Sequence, residues 1–182
     1  MERWARCATA AAMGLVVPLC AAPAANAARG AAAEADHDAV AVPVPERQVL
    51  SLINQSRAQA GLPPFTIAAG LTRTAAAHDL AMAGGCGLSH QCAGETAPAG
   101  RATAANPHWT KAGENIGEGG PADDSDTAIA QTATALTQDM LDERPPDDHH
   151  RRNILSGAFR HIGIAVYRDA SGSVWMTQDF SD

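Results

Sequence analysis

Four side chains that can bind a metal ion or move a proton lie in or beside turn-rich segments of the sequence. They are His90, Glu114, Glu143 and His150. Imidazole nitrogens and carboxylate oxygens suit Zn²⁺ or a similar divalent cation, and the same groups act as general acids and bases. Composition alone equally allows each of them to be a solvated loop or helix-end residue. They form a candidate site only if the fold brings them together.

The sequence lacks the signatures of several common enzyme classes. It contains no H-E-x-x-H zinc motif, no G-x-S-x-G nucleophile elbow, no P-loop and no G-x-G-x-x-G turn. The net charge of −7 argues against nucleic acid as a partner, because counterion release requires clustered Lys and Arg. A chain of 182 residues fits one domain.

The amino-terminal segment has the pattern of a secretory signal peptide. Residues 1–7 carry two arginines, residues 8–22 are mostly apolar, and Ala25-Asn26-Ala27 is a small-x-small cleavage pattern. We therefore expect residues 1–27 to be removed and the protein to be secreted. The apolar run is shorter than the ~20 residues that a spanning helix needs, so no stable membrane span is expected. A retained anchor and a lipid on Cys20 are the alternatives.

Removal of that segment leaves two cysteines, Cys86 and Cys92. Two cysteines six residues apart in a chain bound for an oxidising compartment predict one short-loop disulfide. The alternative is a pair of thiols on a metal ion, for which only His90 lies between them as a further ligand.

Three helices are predicted from apolar residues at helical spacing. The first covers about 45–60, the second covers 71–82, and the third begins at Ser125 or Asp126 and ends before Pro145. His78, on one face of the second helix, is expected to be a packing residue. Before the first helix, residues 28–45 show no periodicity and are predicted to be a flexible leader to a domain at 46–182.

The carboxyl-terminal part predicts a β-hairpin. Apolar residues alternate over 162–166 and again over 174–180, on either side of a turn at 169–172. Residues 84–121 are rich in Gly and Pro and are expected to form one long functional loop. Helices that precede strands without regular alternation indicate an α+β fold.

Several short motifs occur in an order that identifies a family. They are Leu52-Ile53-Asn54-Gln55-Ser56-Arg57, Gly87-Leu88-Ser89-His90, Gly113-Glu114-Asn115-Ile116, His150-Arg151-Arg152-Asn153-Ile154-Leu155, Ile162-Gly163-Ile164-Ala165-Val166 and Trp175-Met176-Thr177-Gln178-Asp179-Phe180. Together they resemble the CAP superfamily of cysteine-rich secretory, antigen and pathogenesis-related proteins, and in particular its bacterial secreted SCP-like branch. The resemblance covers about residues 47–182. It implies a three-layer α-β-α sandwich with a small, mainly antiparallel central sheet.

The resemblance also implies a cavity that contains a His/Glu tetrad, formed by His90, Glu114, Glu143 and His150. His90 and His150 match the residues that would bind a metal, and Glu114 belongs to the family's G-E-N motif. Glu143 matches the acid at the end of the third helix. His149 competes with His150, but only His150 has the offset to the following Asn-Ile that the motif requires. We take His149 as a solvated neighbour.

The function that these features imply is extracellular binding, with turnover less favoured. The family resemblance suggests a lipid, sterol or peptide as the ligand and Zn²⁺ or another divalent cation in the cavity. The alternative is a secreted, metal-assisted hydrolase of peptidase type in which Glu114 or Glu143 is the general base. Two histidines are one ligand short of the usual three-ligand catalytic zinc site, which counts against catalysis.

Overall fold

The protein is represented by a computed structural model that describes residues 42–105 and 108–182. The expected signal peptide at 1–27 and most of the expected leader at 28–45 lie outside the described residues. The first helix begins at Val44, two residues before the predicted start of the domain. None of the helices in the described ranges is long and apolar enough to cross a membrane.

Helices and strands alternate irregularly along the described chain. They are α1 (Val44–Gln59), β1 (Thr66–Ile67), α2 (Ala69–Ala81), α3 (Pro98–Ala105), β2 (Ala112–Gly119), α4 (Asp126–Asp142), α5 (His149–Ile154), β3 (His161–Arg168) and β4 (Val174–Ser181). A π-helical turn, Met82–Cys86, extends α2. The three predicted helices and the predicted hairpin are confirmed as α1, α2, α4 and β3–β4.

Local sequence signals account for the helix ends. Pro45 lies in the first turn of α1, where its missing N–H has no intrahelical role. The chain leaves that helix at Gly61, whose φ of +72° favours a residue without a Cβ. Ser125 is the N-cap of α4, and its Oγ accepts a hydrogen bond from the backbone N–H of Ala128 at 3.2 Å. The prediction of this cap is confirmed.

The strands form a mainly antiparallel sheet with the order β1-β3-β4-β2. β1 is parallel to β3, whereas β4 is antiparallel to both β3 and β2. Gly172, with a φ of +93°, lies in the turn between β3 and β4. β2 is an edge strand of this sheet, and its four central residues, 114–117, are buried.

Helices cover both faces of the sheet. α1, α4 and α5 pack on one face and enclose the larger core, while α2 and α3 pack on the other. Met82, Cys92, Ile116 and Trp175 form a smaller core on the second face. The arrangement confirms the predicted α+β fold and three-layer sandwich.

One glycine sets the distance between α2 and the sheet. A Cβ on Gly163 of β3 would lie 2.2 Å from the carbonyl carbon of Leu71 in α2. Real Cβ atoms do not approach backbone that closely, so α2 can pack at this distance only over glycine.

The expectation of one long loop over 84–121 is wrong. This region contains α3 and all of β2. Gly113, Gly117 and Gly119 of β2 lie at alternate positions, under the side chains of α4, α5 and the segment that follows. A larger residue at any of them would meet those side chains at 3.1–3.2 Å. Close helix packing therefore explains the glycines that made this strand resemble a loop.

Candidate functional site

The first two residues of the predicted tetrad form a hydrogen-bonded pair. Glu114 lies on β2 and points to the face covered by α2 and α3, where its carboxylate is buried. His90 lies in the loop after the π-helical turn, and its Nδ1 is 2.8 Å from Oε1 of Glu114. An ionised carboxylate only accepts hydrogen bonds, so Nδ1 donates. The side chain of His90 is 52% exposed, and the pair therefore opens to solvent on the histidine side.

Arg101 of α3, which the sequence analysis did not identify, holds this pair in place. Its guanidinium forms an ion pair with Glu114 and donates hydrogen bonds to the carbonyl oxygens of His90 at 3.2 Å and Thr96 at 3.1 Å. Burial alone would raise the pKa of Glu114. Hydrogen bonds from His90 and Arg101 outweigh burial and hold that pKa below its usual range.

Two further buried acids lie on the same face. Asp179 of β4 is the cross-strand partner of Glu114 and shares a hydrogen bond with it. Asp79 of α2 accepts a hydrogen bond from Oγ1 of Thr177 at 2.6 Å. Burial raises the pKa of both Asp79 and Asp179 to about 8, and the nearby Glu114 carboxylate adds to the effect. Burial therefore favours the neutral form of Asp179 beside the ionised carboxylate of Glu114.

The other two residues of the tetrad form a second pair. Glu143 is the C-cap residue of α4, and one of its carboxylate oxygens accepts a hydrogen bond from Nδ1 of His150. The other oxygen accepts from the backbone N–H groups of His150 at 3.0 Å and Arg151 at 3.2 Å, which begin α5. Burial would raise the pKa of Glu143, but these donors lower it. Glu143 therefore caps the helix that carries its histidine partner.

A buried network of side-chain amides connects the second pair to β2. Nδ2 of Asn115 donates to the carbonyl oxygen of His150 at 3.2 Å and to Oε1 of Gln178 at 3.1 Å. Nδ2 of Asn153 donates to Oδ1 of Asn115 at 2.8 Å and to the carbonyl oxygen of Glu114 at 3.2 Å. The edge strand is thus the common support of both His–Glu pairs.

The structure therefore arranges the tetrad as two His–Glu pairs. In both histidines Nδ1 is bonded to a carboxylate, and Nε2 has no hydrogen-bond partner among the described residues. No three ligand atoms of the tetrad lie within 4.8 Å of one another, since in residues 42–105 and 108–182 only His78, Cys92 and Glu95 satisfy that distance. His149 is exposed, with Nδ1 3.3 Å from Arg152.

The predicted disulfide between Cys86 and Cys92 is confirmed. Their Cα atoms are 5.6 Å apart, and the bridge closes the loop that leads to His90. Gly85 and Gly87, with φ of +114° and +75°, supply the backbone conformations that flank Cys86. The alternative of two free thiols on a metal ion is wrong for this oxidised state.

Sequence reasoning missed the buried polar residues behind the pairs. Arg101 lies in the region expected to be a loop. Asp179 lies between Gln178 and Phe180 and therefore points to the opposite face of β4. The alternation of apolar residues predicted the face that carries Phe180, and it gave no reason to expect a buried acid on the other face. Every residue of β4 is buried, because helices cover both faces of this central strand. A strand that is expected to be central predicts burial on both faces, and this is the reasoning that could have found Asp179.

Comparisons with known proteins agree with the fold. A family model described as "CAP: Cysteine-rich secretory protein family" matches residues 50–180. The uncharacterized protein YkwD of Bacillus subtilis is 29% identical over 135 residues, which are 74% of this chain and 46% of that protein. The chain thus spans about half the length of this curated relative.

Two solved structures are similar in fold. An extracellular protein with an SCP domain from Bacillus anthracis has a TM-score of 0.59 and 24% identity, with 74% of this chain and 39% of that chain covered. An outer surface protein of Borrelia burgdorferi has a TM-score of 0.63 and 14% identity, with 76% and 92% covered. At these identities the likeness concerns the fold alone.

Proposed function

The chain belongs to the CAP family of cysteine-rich secretory proteins, and from this premise we propose that it is a secreted binding protein whose two His–Glu pairs hold a divalent cation. The observation that carries the proposal is the hydrogen bonding of the two imidazoles. Each has Nδ1 bonded to a carboxylate, which leaves Nε2 as the nitrogen available to a ligand. A carboxylate behind a metal-binding histidine fixes its tautomer and orientation and raises its basicity.

The residues present fit Zn²⁺ or a similar borderline cation. Nε2 of His90 and Nε2 of His150 would be the protein ligands, and Glu114 and Glu143 would orient the two rings. The side chains of His90 and His150 are 52% and 33% exposed, so both imidazoles are open to solvent and to a ligand. A bound cation would supply a positive charge to which a polar group of the ligand can coordinate.

An apolar groove beside the first pair supports a ligand with a hydrocarbon part. It has a volume of about 350 Å³ and is lined by Ala97, Pro98, Ala99, Trp109, Ala112 and Gly113. Ala112 lies two residues before Glu114 and therefore on the same face of β2, so the groove lies beside the His–Glu pair. A lipid, a sterol or an apolar peptide would place its hydrocarbon in the groove and its polar end toward His90.

Secretion is supported by three separate observations. Residues 1–27 have the pattern of a signal peptide. The Cys86–Cys92 disulfide is of the kind that persists in oxidising compartments. Two proteins of similar fold are described as extracellular and as an outer surface protein.

The hydrolase alternative has less support from the geometry. A general base is most effective when its pKa lies near the working pH. Glu114 and Glu143 each accept a hydrogen bond from a histidine and have a lowered pKa, which makes them weaker bases. Both carboxylates are better suited to orienting an imidazole than to activating water.

Calorimetric titration of the disulfide-bonded protein with Zn²⁺ tests the proposal. We expect H90A and H150A to lose measurable binding, and E143Q to weaken it by about 10–100-fold, as expected for a residue behind a ligand. H149A is the matched control and should bind like the unmutated protein. Loss of binding in H149A with binding retained in H150A would show that the wrong histidine was chosen. An unmutated protein that binds no Zn²⁺ at neutral pH would refute the metal site.

A further inference from the structure

Behind the disulfide lies a second group of potential metal ligands. His78 of α2, Cys92 and Glu95 each offer one ligand atom, and these atoms all lie within 4.8 Å of one another. Ligands of a tetrahedral zinc ion are separated by roughly 3.5 Å, given metal–ligand bonds of about 2.0–2.3 Å. A small inward movement would therefore suffice to close the group on an ion. In the oxidised protein Cys92 is bonded to Cys86 and cannot serve as a thiolate ligand.

We propose that reduction of the Cys86–Cys92 disulfide converts Cys92, His78 and Glu95 into a second binding site for a thiophilic divalent cation such as Zn²⁺. This site is separate from the proposed site at His90 and His150, since the two sites share no side chain. Cys, His and Glu are each zinc ligands, and three protein ligands with water in the fourth position complete a tetrahedral zinc site.

The contact between His78 and Glu95 already places two of the three ligand atoms side by side. The side chain of His78 is fully buried, and Nδ1 lies 2.9 Å from Oε2 of Glu95. A cation that replaces the proton between these two atoms would be bonded to both residues, since metal binding releases protons from its ligands.

Glu95 is held close to Cys92 in the oxidised protein. Its Oε2 accepts a hydrogen bond from the backbone N–H of Cys92 at 3.0 Å. Nη1 of Arg101 lies 3.9 Å from Oε2 of Glu95, and its charge opposes that of an incoming ion. Because the Arg101 guanidinium is paired with Glu114, most of that charge is already neutralised.

Exposure of the disulfide allows a reductant to open the site. Cys86 is exposed, whereas Cys92 is only 5% exposed, and both line a surface cavity of about 580 Å³. A thiolate of a dithiol reductant can attack Sγ of Cys86, which breaks the S–S bond and releases Cys92 as the thiolate. The second thiol of the reductant then displaces Cys86. The reductant thus loses two electrons and becomes a disulfide, and the protein gains two thiols.

Cobalt absorption spectroscopy can test the site without any reductant. In a full-length chain that carries C7S and C20S, the variant C86S leaves Cys92 as a free thiol, and C92S is the matched control that loses the same disulfide but not the site. Thiolate-to-Co²⁺ charge-transfer absorption reports a Co–S bond, which His90 and His150 cannot produce. Circular dichroism checks that both variants remain folded.

We expect C86S to bind about one equivalent of Co²⁺ with this absorption, and C92S to give an intensity about tenfold lower or less. E95Q in the C86S chain should weaken Co²⁺ binding by about 10–100-fold. Equal charge-transfer absorption in C86S and C92S, or none in C86S at saturating Co²⁺, would overturn the proposal. A failure here leaves the zinc titration of the disulfide-bonded protein unaffected, so the two sites are tested separately.

Discussion

Replacement of Arg101 by methionine is expected to destabilise the protein through the buried carboxylate of Glu114. The guanidinium is 7% exposed and the carboxylate 3% exposed, so water cannot replace the lost partner. Methionine retains most of the side-chain volume but removes the charge and the donors to the carbonyl oxygens of His90 and Thr96. Loss of one partner leaves a charge uncompensated in the interior.

The expected cost is about 3–5 kcal/mol in the free energy of unfolding at neutral pH. That is a large part of the ~5–15 kcal/mol that stabilises a domain of this kind. Without Arg101, burial is no longer outweighed, and the pKa of Glu114 should rise. The cost should therefore become smaller as pH falls, because protonation removes the unpaired charge.

A double-mutant cycle measured by urea unfolding gives the coupling between the two residues. E114Q should destabilise the unmutated protein but should be neutral or stabilising when added to R101M. R73M, at an exposed position of α2, is the matched control and should change stability by no more than about 0.5 kcal/mol. A cost below about 1 kcal/mol for R101M, or the same effect of E114Q in both backgrounds, would refute the buried-pair argument.

Three further predictions concern other parts of the molecule. G163A should cost about 3 kcal/mol or more in thermal unfolding because its Cβ would overlap the backbone of α2, whereas G157A, with nothing closer than 3.7 Å, should cost about 1 kcal/mol or less; equal effects would contradict the packing argument. The pKa of Asp79 is raised from 3.8 to about 8 on folding, so its contribution to stability falls as pH rises through that interval. The difference in stability between D79N and the unmutated protein should therefore shift in favour of D79N by up to about 4 kcal/mol from pH 5 to pH 8. A difference that does not change with pH would exclude a raised pKa. Intact-mass measurement of exported protein should show cleavage near Ala27, and an uncleaved mature product would contradict the signal peptide.

Periodicity predicted the elements that pack against a single core face. Val49 and Ile53 of α1, and the apolar side of β3, repeat at the spacing of a helix and a strand with one buried side. β2 was missed because glycines occupy the face that packs under α4 and α5, so the strand shows no alternation of large apolar and polar residues. Local patterns thus predicted the outer layers and one hairpin, but not the edge strand that supports the site.

The tetrad came from family motifs, and its supporting residues came only from the structure. Glu114 and His150 could be matched because they lie in short motifs of characteristic sequence. Arg101 lies in no such motif, and its role depends on a contact with β2 that only the folded chain creates. Asp79 and Thr177 are 98 residues apart in sequence, so their hydrogen bond could not be inferred from spacing.

Anomalous diffraction at the zinc edge, from crystals of the disulfide-bonded protein grown with Zn²⁺, tests the central proposal most directly. We expect a peak within coordination distance of Nε2 of His90 and Nε2 of His150, with Glu114 and Glu143 hydrogen-bonded to Nδ1 of the two rings. A peak that contacts neither histidine, or the absence of any peak at this site at saturating Zn²⁺, would contradict it.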